Sequence, residues 1–356
     1  MKTLLRLLLK TQHQRNRSGP AQTEKGMTLV ELLVGAIMAF LIITPMLGFV
    51  VDMLNTDRRE QVKSNTEQDV QAALDFIAQD LSQAIYIYDN NPAPASTPTT
   101  TATGIPALLA GNFIPAANAT QTPILVFWKR QILPNSLPLV AGDQPDTCTT
   151  TPNGANTCND TYVLALVAYY EVRDANPTWC QPSGAPCPTR IVRYQIQDGL
   201  RDPNLTDPAL LNRYFAGVSD SQDRSDAFNP GFDISNPTQN VTFPGVGWDR
   251  IEVLVNYIDH SPGPALTGNE CRTALGNPTD TSGVTPTPIP ETTLIIANPT
   301  NSFYACVDTS KNIARVTLRG NSLRRLQPND TAYNPNRSAF FPTASVQVQG
   351  LGARGR

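Results

Sequence analysis

Charge is scarce in this chain. Charged residues fill 16% of its 356 positions, and the formal net charge is −3. No broad basic surface is available to neutralise phosphates, so nucleic acid is not an expected partner. Histidine is scarcer still, with His13 and His260 as the two present. Neither Cys-x-x-Cys nor His-Glu-x-x-His occurs, which leaves a zinc site without a framework. Gly-x-Ser-x-Gly and the phosphate-loop pattern are missing as well, and with them the common signatures of hydrolases and nucleotide enzymes. His260 lies between Asp259 and Ser261 in "YIDHSPG", but neighbours in sequence do not make a triad, and a surface-turn histidine is the plainer reading. No enzymatic activity is expected.

The chain does have one long apolar run, "MTLVELLVGAIMAFLIITPMLGFVV", residues 27–51. At about 1.5 Å per residue it makes a helix of about 37 Å, longer than the hydrocarbon core of about 30 Å. Lys2, Arg6, Lys10, Arg15, Arg17 and Lys25 precede it against Glu24 alone. A basic block before an apolar run keeps its own end in the cytoplasm and sends the chain beyond the run across the membrane. A cleavable secretory signal has a core of only about 7–15 residues with a small-x-small site after it; this run is longer, and no such site comes next. Within it stands a single carboxylate, Glu31. An acidic side chain in hydrocarbon costs roughly 3 kcal/mol, and a plain membrane anchor would have no use for one.

The cysteines, Cys148, Cys158, Cys180, Cys187, Cys271 and Cys306, all lie beyond the apolar run. An even number confined to the translocated part fits an oxidising compartment and three disulfides. Six cysteines allow about 15 connectivities. Pairing of sequence neighbours, 148 with 158, 180 with 187 and 271 with 306, is preferred because each pair brackets a loop rich in Pro, Gly, Asn or Thr.

"KGMTLVELLVG", after its basic leader, resembles the processing site of type IV pilins and of the pseudopilins of type II secretion. The resemblance implies cleavage between Gly26 and Met27 by a prepilin peptidase, methylation of the new amine, and a mature chain whose fifth residue is Glu31. Phenylalanine is frequent at the first mature position of that family, and methionine is a tolerated replacement. It implies further that Glu31 meets the charged amine of Met27 on a neighbouring subunit. Opposite charges about 4 Å apart attract by about 4 kcal/mol at an effective dielectric of 20, which offsets much of the desolvation. The implied partners are other pilin or pseudopilin subunits, the peptidase/methyltransferase and the inner-membrane assembly platform. "ALDFIAQDLSQAIYIY" resembles, more loosely, the larger minor pseudopilins, the J type and its W-type pilus counterpart, which are tip components with a helix and a two-sheet body. The Thr/Asn/Pro-rich loops are similar to those of pseudopilins of cyanobacterial polysaccharide secretion.

The expected fold is α+β: a long amino-terminal helix packed on an antiparallel β-sheet domain. Residues 1–26 form the leader, 27–51 the transmembrane and assembly half of the helix, and 52–89 its amphipathic half. A Thr/Pro-rich linker (90–106), a β-rich domain (107–349) and a flexible tail (350–356) complete the chain. Val70, Leu74, Ile77, Leu81, Ile85 and Tyr88 recur at helical spacing and predict an apolar stripe, with Asp69, Asp75, Gln79, Asp80 and Gln83 on the polar side. Pro45 is expected to kink or break the helix. Strands are expected over 124–132, 162–173, 190–197, 250–258, 292–297, 313–320 and 344–349. The alternation of Val192, Tyr194 and Ile196, and of Ile251, Val253 and Val255, is read as the sheet face that meets the helix.

Asp220, Asp223, Asp226 and Asp233, in "SDSQDRSDAFNPGFD", are hard oxygen donors of the kind calcium takes. Their spacing misses the EF-hand loop, and a solvated loop is the alternative; some pseudopilins hold calcium in such loops. Calcium is the one cofactor the sequence leaves open. Trp128, Trp179 and Trp248 are read as core or disulfide cover. The function expected is that of a minor subunit, at the tip or in the priming complex of a pilus or pseudopilus. The rivals are a tip adhesin and a membrane-anchored periplasmic hydrolase.

Overall fold

The computed structural model describes residues 28–92, 103–140, 143–145, 157–205, 209, 213–215, 218, 223–238, 243–281, 283, 285–297, 300–329 and 331–354. Gly26, Met27, Cys148, Asp220 and most of the 90–106 linker lie outside them. The chain divides into two compact units at Arg58/Arg59.

Helix α1, Leu29–Ser82, contributes to both. From Leu29 to Val51 it is built almost wholly of Leu, Ile, Val, Met, Phe, Ala and Gly, and the helix is continuous through Pro45. The break expected there is not observed. Proline removes one N–H and leaves the other turns of the ladder intact. Every large apolar side chain from Leu29 to Leu54 is exposed, from 48% at Val50 to 83% at Leu29.

In the second unit the character of α1 changes. Thr66, Val70, Ala73, Leu74, Ile77, Asp80 and Leu81 are buried at helical spacing, and the apolar ones join a core drawn from two sheets. Two expectations are corrected here. Asp80, assigned to the polar side, is buried. Helix was also expected as far as Tyr88, but α1 ends at Ser82 and strand β1 occupies Ala84–Ile87. The segment "AIYIY" is β-branched and aromatic, a composition that favours a strand once a partner edge is present.

β1 opens a five-stranded sheet with β2 (Gln121–Pro138), β3 (Cys158–Val172), β4 (Thr189–Gln197) and β5 (Arg250–Ile258). The strands lie in chain order with every neighbour antiparallel. β6 (Thr279–Asp280) and β7 (Thr287–Pro288) form a small hairpin. A second sheet holds β8 (Ile295–Ala297), β9 (Phe303–Asp308), β10 (Ile313–Arg319) and β11 (Thr343–Gln349), in the order β11-β10-β9-β8 and again antiparallel. The expected strand at 292–297 is shorter, because Glu291–Leu294 makes one helical turn, and β9 was not anticipated. The coarse class, a long apolar amino-terminal helix with antiparallel sheets, is α+β as expected.

A bridge between Ile258 and Gly320 joins the ends of β5 and β10. A Cβ at Gly320 would stand 2.7 Å from Thr66 Cγ2 and 3.0 Å from Val70 Cγ2. The missing side chain therefore lets α1 approach the seam between the sheets.

Register fixes the two faces of the larger sheet. Tyr169 on β3 reaches Asp80 of α1 and pairs across β4 with Arg193, so Arg193, Gln195 and Gln197 share the face that meets α1. Val192, Tyr194 and Ile196 point the other way, which reverses the sequence reading. That opposite face is covered by aromatic groups from the loop after β4. Trp128 stacks on Phe232 with centroids 4.1 Å apart and lies 5.4 Å from Phe243, and its Nε1 donates to Tyr88 Oη at 3.0 Å. The greater hydrophobic content of the Val/Tyr/Ile set is thus matched to an aromatic lid rather than to the helix. The tail read as flexible is also partly ordered. Leu351–Arg354 forms a 3-10 turn, and Gly352 lies so close to β1 that a Cβ would collide with the Ile85 carbonyl.

Candidate functional site

Two carboxylates on α1 are the candidate functional groups, and each is described within its own unit. Glu31 stands in the first turn of α1. Its Oε2 accepts from Thr28 N and from Thr28 Oγ1, both at 3.1 Å, while Glu31 N donates to Thr28 Oγ1 at 3.3 Å. This is a capping box, in which the N-cap threonine and the third helical residue satisfy each other's backbone donors. Thr-x-x-Glu was legible in "MTLVE" but was not read as a cap. The arrangement gives Glu31 a local role, yet among the described residues no cation stands against it. Around and beyond it lies the apolar surface of Leu29–Leu54, long and apolar enough to cross a membrane. Apolar surface on this scale calls for lipid or other apolar helices.

Asp80 is the opposite case. Its Oδ1 accepts from Lys129 Nζ of β2 at 2.7 Å, and its Oδ2 from Arg193 Nε of β4 and Tyr169 Oη of β3, each at 2.7 Å. Burial pushes the carboxyl upward, but the charges of Arg193 and Lys129 outweigh it and hold the pKa below the ordinary carboxylate value. Burial also pushes the Lys129 ammonium down, against the pull of Asp80. One helical side chain therefore fixes α1 against three successive strands. Arg325 pairs with Asp69, and Lys63 Nζ lies 4.5 Å over the Phe340 ring; both tie more of the helix to the second sheet's connections. Sequence reasoning missed Lys129, Tyr169 and Arg193. The signal was there in "RIVRYQIQ", where Arg193, Gln195 and Gln197 alternate, but the apolar set between them was the one assigned to the helix.

The remaining candidates have structural placements. Asp259 is fully buried and accepts from Arg319 Nε at 2.8 Å, Ser261 Oγ at 2.7 Å and Asn321 Nδ2 at 3.1 Å. Ser261 Oγ also takes Tyr333 N at 2.7 Å, and His260 Nδ1 has no partner among the described residues, so the three adjacent residues are not assembled as a triad. In the aspartate-rich loop, Asp223 Oδ1 caps Arg224 N at 2.8 Å. Arg224 Nη1 then gathers the carbonyls of Ser225, Asp226 and Phe228 at 2.9, 3.3 and 2.8 Å. That curl delivers Phe228 and Phe232 to Trp128. Among the described residues no group of three or more His, Cys, Asp or Glu is placed to hold a metal.

Disulfides join Cys180 to Cys187 and Cys271 to Cys306, and Cys158 is disulfide-bonded as well. The Cys180–Cys187 loop wraps the buried Arg324, whose Nε donates to Pro186 O at 2.9 Å and Nη2 to Pro182 O at 2.8 Å. Cys271 and Cys306 form a small satellite core with Leu275 and Leu294. The chain matches no family model, no curated protein and no solved structure.

Proposed function

We propose that this chain is a minor pilin or pseudopilin, a structural subunit of a type IV pilus or of a type II secretion-like pseudopilus. It is made with a basic leader that is cut between Gly26 and Met27. The 27–51 run anchors it in the inner membrane with the amino terminus cytoplasmic and the globular part periplasmic. From there it enters the filament, at the tip or in the priming complex, where a bulky body need not repeat down a shaft. Its partners are other subunits, the prepilin peptidase/methyltransferase and the assembly platform. Its work is assembly and the transmission of force, with no chemistry of its own.

The observation that carries this reading is the exposed apolar stretch Leu29–Val51 with its one carboxylate, Glu31, in the first turn. A surface of that kind is stable beside lipid or beside copies of itself. A carboxylate in such surroundings is tolerated when a cation from another chain reaches it. Trimming after Gly26 would supply that cation as a new amine. The test is mass spectrometry of the amino terminus of the chain isolated from fibres. A chain starting at methylated Met27 is expected; a chain retaining Met1 in mature fibres would overturn the reading.

A further inference from the structure

A second site lies in the globular unit, along the flank where α1 leaves part of the larger sheet uncovered. It is a cavity of about 750 Å³, inside the range of about 300–1,000 Å³ usual for small-molecule sites. Helix and sheet build it, and the long loops are not its frame. Its floor is polar because β4 and β5 turn Arg193, Gln195, Arg250 and Glu252 onto the helix side. Lys129, less than a tenth exposed, directs one N–H to Asp80. Its ammonium lines the cavity beside Asp80 and Arg193. Phe76 on α1, 39% exposed, supplies an apolar wall, and the Arg193 guanidinium lies 5.8 Å from its ring.

The charges choose among ligands. Asp80, Asp249 and Glu252 balance Lys129, Arg193 and Arg250 around the cavity. An anion entering would meet Asp249 and Glu252 at the open side, and a cation would meet the buried Lys129 and Arg193. An apolar ligand would strip water from all of them without replacing its hydrogen bonds. A hydroxyl group both donates and accepts, so a ligand bearing many hydroxyls can face both signs at once and lay an apolar face on Phe76. We infer that this cavity binds a neutral saccharide segment. The inference stands on the cavity alone and does not depend on the filament reading.

The test uses the full chain in micelles of a detergent without a sugar headgroup, probed by ligand-observed NMR. The probes are cellotetraose, maltotetraose and mannotetraose, with tetragalacturonate as the charged counterpart. The double variant Gln131→Ala with Asp249→Ala alters only the cavity's outer wall, which keeps the fold testable by its unchanged thermal transition. Binding of at least one neutral tetrasaccharide, weakened by about tenfold or more in the double variant, is the expected result. Binding of tetragalacturonate alone would show an anion site and overturn the inference. So would binding unaffected by the double variant, or no binding of any neutral probe. Concentration-dependent self-association that the double variant abolishes, without saccharide binding, would assign the cavity to a second copy instead.

Discussion

The two stretches of α1 solve opposite problems with one helix. From Thr66 to Leu81 the chain buries Val70, Ala73, Leu74, Ile77 and Leu81 in its own core and gives its one buried carboxylate, Asp80, two cations and a tyrosine. From Leu29 to Leu54 the apolar side chains are all exposed, and Glu31 has only the threonine of its own cap among the described residues. A charge complete within the chain belongs to folding. A charge with no cation beside it among the described residues, set in an exposed apolar surface, is the one that the proposed association would complete. The contrast separates the part of the helix that packs in the chain's own core from the part whose apolar side chains are exposed.

The strongest way to break the folded side is Asp80→Ala, which leaves Lys129 and Arg193 buried without their carboxylate. A loss of about 3–5 kcal/mol is expected, read by chemical denaturation of the micelle-bound chain with a probe such as Trp128 fluorescence. A loss below about 1 kcal/mol, the scale of an exposed pair, would mean that Asp80 does not anchor the helix. The acid limb of the stability curve should report the same contact. The Asp80 carboxyl is held low when folded, so its contribution is full above the ordinary value of 3.8 and disappears as pH falls through the lowered one.

Next in size is Gly320→Ala, which presses a methyl group into Thr66 and Val70. Overpacking of this kind costs about 1–3 kcal/mol, and the loss should shrink when Thr66→Ser makes room. A Gly320→Ala chain as stable as the parent would show that α1 does not pack so closely at the seam.

Glu171, on the same side of β3 as Tyr169, sharpens the comparison by pH. Burial raises its pKa from 4.5 to about 8, with Arg173 pulling it down and Asp259 pushing it up. The folded chain then keeps a proton that the unfolded chain releases, so stability falls as pH rises from 4.5 to about 8. Glu171→Gln should lessen that decline, seen as a smaller fall in the denaturation midpoint from about pH 5 to pH 8. A decline undiminished in the variant would assign it to another group.

The smallest expected effect is on the open side. Thr28→Ala removes half of the capping box and should cost about 1 kcal/mol of helix stability. It should be measurable as fraying of the first turn by amide exchange, with the globular unit untouched. An unaltered exchange rate there would mean that the cap does not hold the helix start.

Much of this was legible in the sequence. The apolar run after a basic block could be read because periodicity and length give one answer when nearly every residue is apolar. The sheet strands at 162–173, 190–197, 250–258 and 313–320 were legible from β-branched alternation. The end of α1 was not, because Ile85 and Tyr88 continue the helical spacing and only the edge of β2 decides that they pair as a strand. The side of β4 that meets the helix was misread for a related reason. Period-two alternation names two faces without saying which is covered, and here an aromatic lid from a distant loop claimed the more apolar one. Asp80 was hidden because a buried carboxylate looks like a solvated one until Lys129 and Arg193 are placed beside it.

The most direct measurement is incorporation of a Glu31→Gln chain into fibres. Glutamine keeps the capping acceptor of Thr28 and removes the charge, so cap and charge are separated in a single substitution. The account predicts a chain that folds, inserts and is trimmed as usual but fails to enter the filament. Incorporation equal to that of the unsubstituted chain would contradict it.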